Sequence, residues 1–474
     1  MEMNSLAINK RRLTALFAVL QALVLPAWGQ REQDLQTILS LGLPVVEVTT
    51  VDGEEPTCDP VEPPEGCMGQ GITNMNKVKG RLRILQGSET LYDSGDYEKD
   101  ASGMTIRVRG NSSAWQEKKP YKVKLQKKAD LLLRGDDKKY KDKDWLLLKD
   151  ETASLNTVVG MKVNELMGMQ WTPRYMLVNL MLNDVYRGLY LIVESVKRNN
   201  DCRIDIDKET GYLFEYDPYW WNEDLYFETP MTASPDAKFT FKEPDSEDIT
   251  EQQVDYIREV MVRLEASLGG EAWQWYVDTE SFASWLLAQD ILGNGDGHGS
   301  NVFMTKYDNS PQSKVMMGNL WDFDAIMQTP DTWSNSHRIL YFGVLLDHPS
   351  GVFSRAYQAR WNTVKGTLFT ELMAFLKDFE ASETGQAYDR SIPYDSYRCN
   401  REGKTLRQLT DEACQWLEAR RQWLEHAIND TNFVGRPTAR LDSTARIYDL
   451  QGISLPDVSR KGIYIQNGIK VVMK

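Results

Sequence analysis

The spacing of apolar residues changes part-way along the chain, and this change most limits the folds that the chain can adopt. Before about residue 200, apolar residues alternate in short runs separated by loops that carry Gly and Pro. After about residue 249 they recur at helical spacing in longer amphipathic stretches. Alternation indicates strands, and a period near 3.6 residues indicates helices. The sequence therefore predicts an α+β protein whose β-rich half precedes its helix-rich half.

The individual elements follow from this pattern. Strands are predicted over residues 44–50, 81–85, 105–109, 121–125, 175–182 and 188–194. Helices are predicted over residues 154–167, 254–268, 280–292 and 406–428. Short strands separated by Gly turns are predicted near the C-terminus, over residues 445–448, 462–466 and 470–473.

Residues 1–29 have the pattern of a signal peptide. The basic residues Lys10–Arg12 precede an apolar run over Leu13–Pro26, and Ala27–Gly29 form a small-x-small cleavage site. The alternative is a transmembrane anchor, but a span needs roughly 20 apolar residues, and Pro and Gly end this shorter run. We therefore expect export to the periplasm, the cell surface or the medium, with no transmembrane span after cleavage.

Charge and cysteine content exclude some classes of partner and of metal site. The formal net charge of −14 argues against nonspecific binding of nucleic acid, so no nucleic-acid partner is expected. The cysteine spacing fits no zinc site. In an oxidising compartment Cys58 and Cys67 could form a disulfide, with Cys399 and Cys414 as a weaker second pair. Cys202 would then be a buried free thiol.

The most informative stretch is a Gly-rich loop over residues 293–299. It contains Asp296 and is followed by Asn301, at the junction of a predicted helix and a strand, and a second strand over residues 315–320 leads to Asp322. Phosphoryl transfer needs a carboxylate that orients or deprotonates the acceptor, and an amide and a second carboxylate that hold a divalent metal. Such oxygen ligands suit Mg²⁺ or Mn²⁺. The alternative is an ordinary Gly-rich turn with capping Asp and Asn side chains.

Several motifs in this sequence resemble those of known kinases. The order Asp-x4-Asn, hairpin, Asp-Phe is similar to the catalytic and metal-binding loops of protein kinases, and the surrounding Gly-x-Gly-Asp-x4-Asn is closer to phosphoinositide 3-kinases. Arg109-Gly110-Asn111-Ser112-Ser113 before a Lys-rich strand, Gly188–Glu194 and Trp321–Asp324 resemble the CotH family. The resemblance spans roughly residues 42–345, and the sequence is similar to secreted bacterial members of this family of atypical kinases related to the spore coat protein CotH.

The resemblance implies a bilobal fold of the atypical protein-kinase type. Residues 30–200 would form a β-rich N-lobe, residues 201–434 a mainly helical C-lobe with the catalytic and metal loops, and residues 435–474 a small β-rich tail. The tail is similar to the C-terminal modules of some exported proteins, with an appended hairpin as the alternative. The implied activity is transfer of the γ-phosphoryl group of ATP to Ser/Thr-type protein acceptors, using Mg²⁺ or Mn²⁺. The expected partners are ATP and a surface or secreted protein.

The resemblance also assigns roles to individual residues. Asp296 would be the catalytic base or the group that orients the acceptor, Asn301 and Asp322 the metal ligands, and Asp324 a second carboxylate ligand. The remaining residues are expected to bind ATP: Arg109, Gly110, Ser112, Lys122, Lys124, Glu165 and Glu194.

The ATP-binding residues fall into three groups. The Gly and hydroxyl residues of the turn would let backbone N–H groups approach phosphate oxygens. Lys122 and Lys124 share one strand face, and Lys124 is preferred as the phosphate anchor over an ordinary exposed lysine. Glu165 would pair with that lysine. Glu194 would mark the hinge, with adenine bound to the backbone beyond it, and a plain salt bridge is the alternative.

Two features depart from the family pattern. Asn319-Leu320 stands where a Pro usually precedes Trp-Asp, and Gly297 replaces the usual Arg after the catalytic Asp. Neither change removes an oxygen ligand, but either change could weaken or abolish the activity. His298 has no clear counterpart and would contact phosphate or substrate, or face solvent.

The rival hypothesis is a noncatalytic cell-surface protein on a kinase-like scaffold. In that case an aromatic group would stack on glycans, with packing between the lobes as the commoner use of such a cluster. The group consists of Tyr216, Tyr219, Trp220, Trp221 and Tyr226. A hydrolase is not supported, because the four histidines show neither nucleophile nor zinc spacing.

Overall fold

The computed structural model describes residues 34–67, 69–149, 155–297, 299–395 and 403–429, together with the backbone of short strands between residues 447 and 473. The predicted signal peptide, His298 and Cys399 lie outside the described residues. No helix within the described ranges is long and apolar enough to cross a membrane.

Most of the elements predicted from the sequence are present, with ends that differ by a few residues. The described strands are β1 Val45–Thr50, β2 Asp59–Val61, β3 Gly71–Thr73, β4 Val78–Gln86, β5 Glu89–Asp93, β6 Met104–Val108, β7 Tyr121–Ala129, β8 Asp142–Lys149, β9 Tyr175–Leu182, β10 Val185–Glu194, β11 Tyr212–Asp217, β12 Tyr226–Phe227, β13 Lys238–Glu243, β14 Val302–Lys306, β15 Val315–Met317, β16 Ile447–Tyr448, β17 Ser454–Leu455, β18 Gly462–Gln466 and β19 Ile469–Met473. The described α-helices are α1 Leu35–Leu39, α2 Asn156–Leu166, α3 Glu251–Ser267, α4 Thr279–Leu292, α5 Phe342–Leu346, α6 Val352–Val364, α7 Leu368–Ala381, α8 Glu383–Ser391 and α9 Leu406–Asn429.

Seven strands of the first half form a closed barrel. They pair in the order β1, β9, β10, β8, β7, β6 and β4, and β4 pairs back onto β1. Strand β1 is parallel to β9 and antiparallel to β4, whereas β5 pairs only with β4 at the outside of the barrel. Closure pairs both edges of each of the seven strands, which stabilises the barrel and hides its backbone hydrogen-bonding groups.

Alternate residues of the barrel strands fill its interior. Val46 and Val48 of β1 pack in one buried cluster with Val123 of β7 and Trp145 of β8. Lys122 lies between two such buried positions and faces outward. The strand-like alternation predicted for the first half is therefore present, and its apolar positions form a core inside the barrel.

The second half combines a sheet with helices. The sheet has five strands in the order β12, β13, β11, β14 and β15. Helix α4 is buried along most of its length, and its Trp285 stacks on Phe342 with ring centroids 5.4 Å apart. One cluster of buried residues continues from these helices to the outer face of the barrel, where it includes Leu146 of β8 and Val159 of α2. The two halves therefore share a core.

The predicted bilobal kinase-like fold, with a β-rich N-lobe and a helical C-lobe, is wrong. The first half closes into a barrel instead of an open lobe, and the second half contains a sheet of its own. The sequence shows alternation along each strand but does not show which strands pair. Closure depends on β1 pairing with both β4 and the distant β9, and no local pattern encodes those partners.

The described cysteines are free thiols. Cys58 and Cys67 are both unpaired and partly buried, so the disulfide predicted between them is not formed. Cys202 and Cys414 are free as well, and Cys399 lies outside the described residues.

The predicted C-terminal strands are present. Strands β16–β19 form a separate four-stranded antiparallel sheet in the order β17, β16, β18 and β19. The domain boundaries near residues 29, 200 and 434, and the role of this tail, stay predictions.

Candidate active site

The loop after helix α4 places Asp296 on a hydrogen-bonded framework. The helix ends at Gly293, whose φ of +57° suits glycine. Asn294 then receives the backbone N–H of Asp296 on its Oδ1 atom at 2.9 Å and donates its own amide to Gln289 at 2.9 Å. The N–H of Gly295 donates to the carbonyl of Ala325 at 3.0 Å. These bonds fix the backbone that carries Asp296.

Gly297, where the family pattern has Arg, lies against Ser336. The Ser336 hydroxyl donates to the Gly297 carbonyl at 2.7 Å, and a Cβ atom at position 297 would overlap that hydroxyl. The departure from the family pattern therefore has a local structural reason, because the loop over residues 334–338 occupies the space that a side chain would need.

Asn301 and Asp322 meet at the end of the loop, as the sequence predicts for two metal ligands. The Asn301 amide donates to the Asp322 carboxylate, with Nδ2 and Oδ2 3.2 Å apart. Ser300, Asn301 and Asp322 all have left-handed backbones, with φ of +59°, +60° and +61°. Such φ values are uncommon outside Gly, and strained residues of this kind concentrate at functional sites.

The backbone of Asn301 is held by Glu215 of strand β11. The N–H of Asn301 donates to Oε1 of Glu215 at 2.6 Å, and Oε2 of the same carboxylate pairs with Lys242 at 3.0 Å. Glu215 is buried. A charged acceptor for the N–H stabilises the left-handed conformation of Asn301.

Asp322 lies in a cleft. Its side chain is exposed to solvent, yet dense surrounding protein raises its pKa above the ordinary value. After this burial, the negative charge of Asp296 is the largest cause of the raised pKa. A hydrogen bond from the N–H of Asp324 and the positive charges of Arg109 and Lys149 act in the opposite direction. The two carboxylates, Asp296 and Asp322, therefore lie close enough to repel each other.

The residues after Asp322 anchor the segment to helix α2. The Phe323 ring is packed directly on Gly160, where any Cβ atom would overlap it. Asn156, at the start of the same helix, donates its amide to the carbonyl of Asp324 at 3.2 Å. Asp324, the predicted second carboxylate ligand, is exposed.

The predicted phosphate-binding turn lies near Asp322, because the charge of its Arg109 acts on that carboxylate. It follows strand β6, and Gly110 has a φ of +90° that permits the tight turn. Arg109 is partly buried, which lowers its pKa, while the charges of Asp322 and Glu215 raise it. Burial raises the pKa of Tyr219, and the nearby Ser112 side chain opposes that shift. The structure thus brings Arg109, Gly110 and Ser112 together with the acidic residues.

Lys149 is a residue of this cleft that the sequence interpretation missed. It is the last residue of β8, it is buried, and its charge lowers the pKa of Asp322. It shares a strand face with Trp145 and Leu147 of the barrel interior. A lysine in register with buried apolar residues is the signal that could have identified it.

The two predicted strand lysines lie on the outer face of the barrel. Lys122 is partly buried beside Arg107 and pairs with Asp144, with Nζ and Oδ1 3.4 Å apart. Burial lowers the pKa of Lys122, and Asp144 opposes that shift. Lys124 is exposed on the same face. Neither lysine is among the charges that act most strongly on Asp322.

Glu165 and Glu194 have ion-pair partners other than a phosphate-anchoring lysine. Glu165 pairs with Lys162 at 3.0 Å and Arg174 at 3.3 Å, near the surface of helix α2. Glu194 is fully buried and pairs with Arg134 at 2.8 Å. Glu165 therefore lies away from the predicted lysine, and the salt-bridge alternative describes the Glu194 side chain.

Most of the aromatic group is engaged in packing. Trp220 and Tyr226 contact each other with centroids 4.6 Å apart, and Lys238 lies over both rings. Trp221 packs on Gly71, and Tyr216 contacts Phe239. Tyr219 lies near enough to Asp296 and Asp322 for their charges to raise its pKa, after the larger effect of burial.

Asn301 contacts Asp322, and the charges of Asp296 and Arg109 act on that carboxylate. Such a combination of residues is typical of kinase-like proteins. A family model described as CotH kinase protein matches residues 106–424, and the chain belongs to the CotH kinase family. The matched region includes both the turn after β6 and the loop that carries Asp296. No curated protein matches the sequence.

Proposed function

We propose that the protein is a metal-dependent kinase that transfers the γ-phosphoryl group of ATP to hydroxyl groups of a protein. The observation that carries this proposal is the pairing of Asn301 with Asp322, close to Asp296 and opposite Arg109. Each of these residues has a role in phosphoryl transfer that its chemistry can fulfil.

The donor set fits a divalent cation. Asn301 and Asp322 present an amide and a carboxylate oxygen, and Asp324 offers a second carboxylate nearby. Within the described residues no group of three or more His, Cys, Asp and Glu side chains could hold a metal by itself. The candidate carboxylates Asp322 and Asp324 suit Mg²⁺, which keeps several waters and usually takes one or two protein carboxylates together with substrate phosphates. The bound cation would neutralise charge on the phosphates, and it would also relieve the repulsion between Asp296 and Asp322.

Asp296 would act on the hydroxyl group of the acceptor. Its carboxylate orients the acceptor hydroxyl and takes the proton as the oxygen attacks the γ-phosphorus. The new oxygen–phosphorus bond forms as the bond between that phosphorus and the β–γ bridging oxygen breaks, and ADP leaves. Arg109 and Lys149 are the cations placed to stabilise the negative charge of the transferring group.

The remaining ATP contacts are less direct. Gly110 and Ser112 would offer backbone N–H groups to the phosphates, and the adenine would bind to the backbone that follows Glu194. Lys149 is a further candidate for a phosphate contact beside Lys122 and Lys124, because its charge acts on Asp322. Export to the periplasm, the cell surface or the medium belongs to the same proposal, with a surface or secreted protein as the acceptor.

Replacement of Asp322 tests the proposal. Purified protein with Mg²⁺ or Mn²⁺ and ATP labelled on the γ-phosphate is expected to label itself or an acceptor from the same cell envelope, and Asp322→Asn is expected to lower the rate at least a hundredfold. Asp52→Asn is the matched control, because Asp52 is exposed, is not among the residues assigned to the site, and has the same left-handed backbone with a φ of 56°. Equal labelling by wild type and Asp322→Asn would contradict the assignment.

A further inference from the structure

Asp290 is a fully buried residue in the last turn of helix α4. Its Oδ1 atom accepts the N–H of Ser334 at 3.0 Å and the hydroxyl of the same residue at 2.8 Å. Its Oδ2 atom accepts hydrogen bonds from the hydroxyl of Tyr357 and from Nε2 of His337, both at 2.7 Å. Burial raises the pKa of Asp290, but these partners, with His337 foremost, outweigh burial and lower the pKa below its ordinary value. The carboxylate therefore stays ionised and binds both ends of the segment over residues 334–337.

The same segment binds the loop on both sides of Asp296. Asn335 donates its side-chain amide to the carbonyl of Gly295. Ser336, which is also fully buried, donates its hydroxyl to the carbonyl of Gly297 at 2.7 Å. Gly295 and Gly297 are the two chain neighbours of Asp296. The segment therefore holds the backbone immediately before and after the proposed acceptor-orienting carboxylate.

Helix α9 supports both Asp290 and the segment. The Nε atom of Arg420, a fully buried residue of this helix, donates to the carbonyl of Asp290 at 2.6 Å. The Trp333 ring, just before the segment, contacts the rings of His337 and of Trp423 in the same helix, each with centroids 4.9 Å apart. Close packing and buried hydrogen bonds restrict the positions that such groups can adopt. Asp290 therefore has a fixed position from which it can hold the loop.

We propose that Asp290 is a positioning residue for Asp296, and that it acts through the buried segment that binds the carbonyls on both sides of Asp296. The inference deepens the proposed kinase function and rests on it. Asp290 is fully buried and its two carboxylate oxygens accept four hydrogen bonds, so its role is to hold the loop. Other contacts hold the metal ligands, since Asn301 is bound by Glu215. Loss of Asp290 should therefore slow phosphoryl transfer and leave binding of metal and nucleotide nearly intact.

Asp290→Asn tests this role, because it keeps the size of the side chain but presents an amide NH₂ group to donors that need an acceptor. We expect the rate of phosphoryl transfer at saturating ATP to fall about tenfold to a hundredfold, which is the effect of misplacing a reacting group. The Kd for ATP with Mg²⁺ should stay within about twofold, because the metal ligands are not displaced. Amide hydrogen exchange over residues 293–297 should become faster, and exchange over strand β1 should not change.

Glu265→Gln is the matched control. Glu265 is also a helix carboxylate that accepts a backbone N–H, a threonine hydroxyl and a tyrosine hydroxyl, from Met231, Thr229 and Tyr341. None of these three partners belongs to the loop over residues 293–297 or to the segment that Asp290 binds. Glu265→Gln should therefore change neither the rate of transfer nor the exchange of the loop. An equal loss in this control, or a rise in the Kd for ATP that matches the fall in rate of Asp290→Asn, would overturn the proposal.

Ser336→Ala provides a second test that does not depend on the folding of Asp290→Asn. It removes only the hydrogen bond to the Gly297 carbonyl, so the rate at saturating ATP should fall about fivefold and the loop should exchange faster. An unchanged rate with unchanged loop exchange would contradict the proposal. Failure of the wild-type protein to transfer phosphoryl groups would reject the proposed kinase function. Wild-type transfer that Asp290→Asn and Ser336→Ala leave unaltered would reject this inference alone.

Discussion

At the scale of single residues, the negative charges of Asp296 and Asp322 repel each other. Asp322 has a raised pKa because it is surrounded by protein and because Asp296 is negative. A cation can bind Asp322 only when that carboxylate is ionised, so protons compete with metal at low pH. The raised pKa moves this competition to a higher pH than an ordinary aspartate would show.

Asp296→Asn is expected to separate metal binding from catalysis. Removal of the like charge lowers the pKa of Asp322, so the acid limb of Mn²⁺ binding should move to lower pH. The rate of phosphoryl transfer should nevertheless fall about a hundredfold or more, because no carboxylate remains to accept the acceptor proton. Titration of Mn²⁺ at a series of pH values, followed by paramagnetic resonance, measures the first effect. A limb that stays at the same pH would show that Asp296 does not act on Asp322.

Sequence patterns located some site residues and missed others for identifiable reasons. Asp296, Asn301 and Asp322 could be chosen as candidates because their spacing is tied to one loop and one short hairpin, and in the structure Asn301 contacts Asp322. Lys149 was missed because its importance depends on where barrel strand β8 ends, and that place is set by pairing between strands. Lys124, chosen from a local motif, lies on the outer barrel face, and its role as a phosphate anchor stays a prediction.

At the scale of elements, the contact of the Asp322 segment with helix α2 determines where Asp322 lies. Phe323 packs on Gly160, and the Asp324 carbonyl is bound by Asn156. The helix could be predicted from its apolar spacing. Its contact with the Asp322 segment could not, because the two come together only through tertiary packing. The barrel is similar in this respect: each strand can be predicted from the sequence, but the pairing that closes the barrel cannot.

Gly160→Ala is expected to disturb the site through this contact. The added methyl group would overlap the Phe323 ring, and overpacking of this kind costs about 1 to 3 kcal/mol of unfolding free energy. The displaced segment should also bind Mn²⁺ more weakly, since it carries Asp322. Urea unfolding and Mn²⁺ titration measure the two effects. Gly366→Ala is the control, because open space surrounds position 366, and similar losses there would argue against a specific contact.

At the scale of the whole molecule, a buried ion pair joins the barrel to the helical half. Lys118, in the segment between β6 and β7, pairs with Asp395, which follows helix α8, with Nζ and Oδ2 2.8 Å apart and both side chains fully buried. Asp395 also accepts the N–H of Leu189 in β10, at 3.3 Å. The segment between β6 and β7 also contains Ser112. The pair therefore links the segment that carries the predicted phosphate-binding turn to the helices.

Lys118→Met is expected to destabilise the protein by about 3 to 5 kcal/mol, because it leaves a buried carboxylate without its lysine while keeping most of the side-chain volume. The Lys118→Met/Asp395→Leu protein should recover part of that loss, since neither charge remains buried. Urea unfolding followed by tryptophan fluorescence gives the free energies. If the pair also positions the turn, the double variant should regain stability but bind ATP more weakly than wild type. Full recovery of both stability and ATP binding would mean that packing alone sets the relation between barrel and helices.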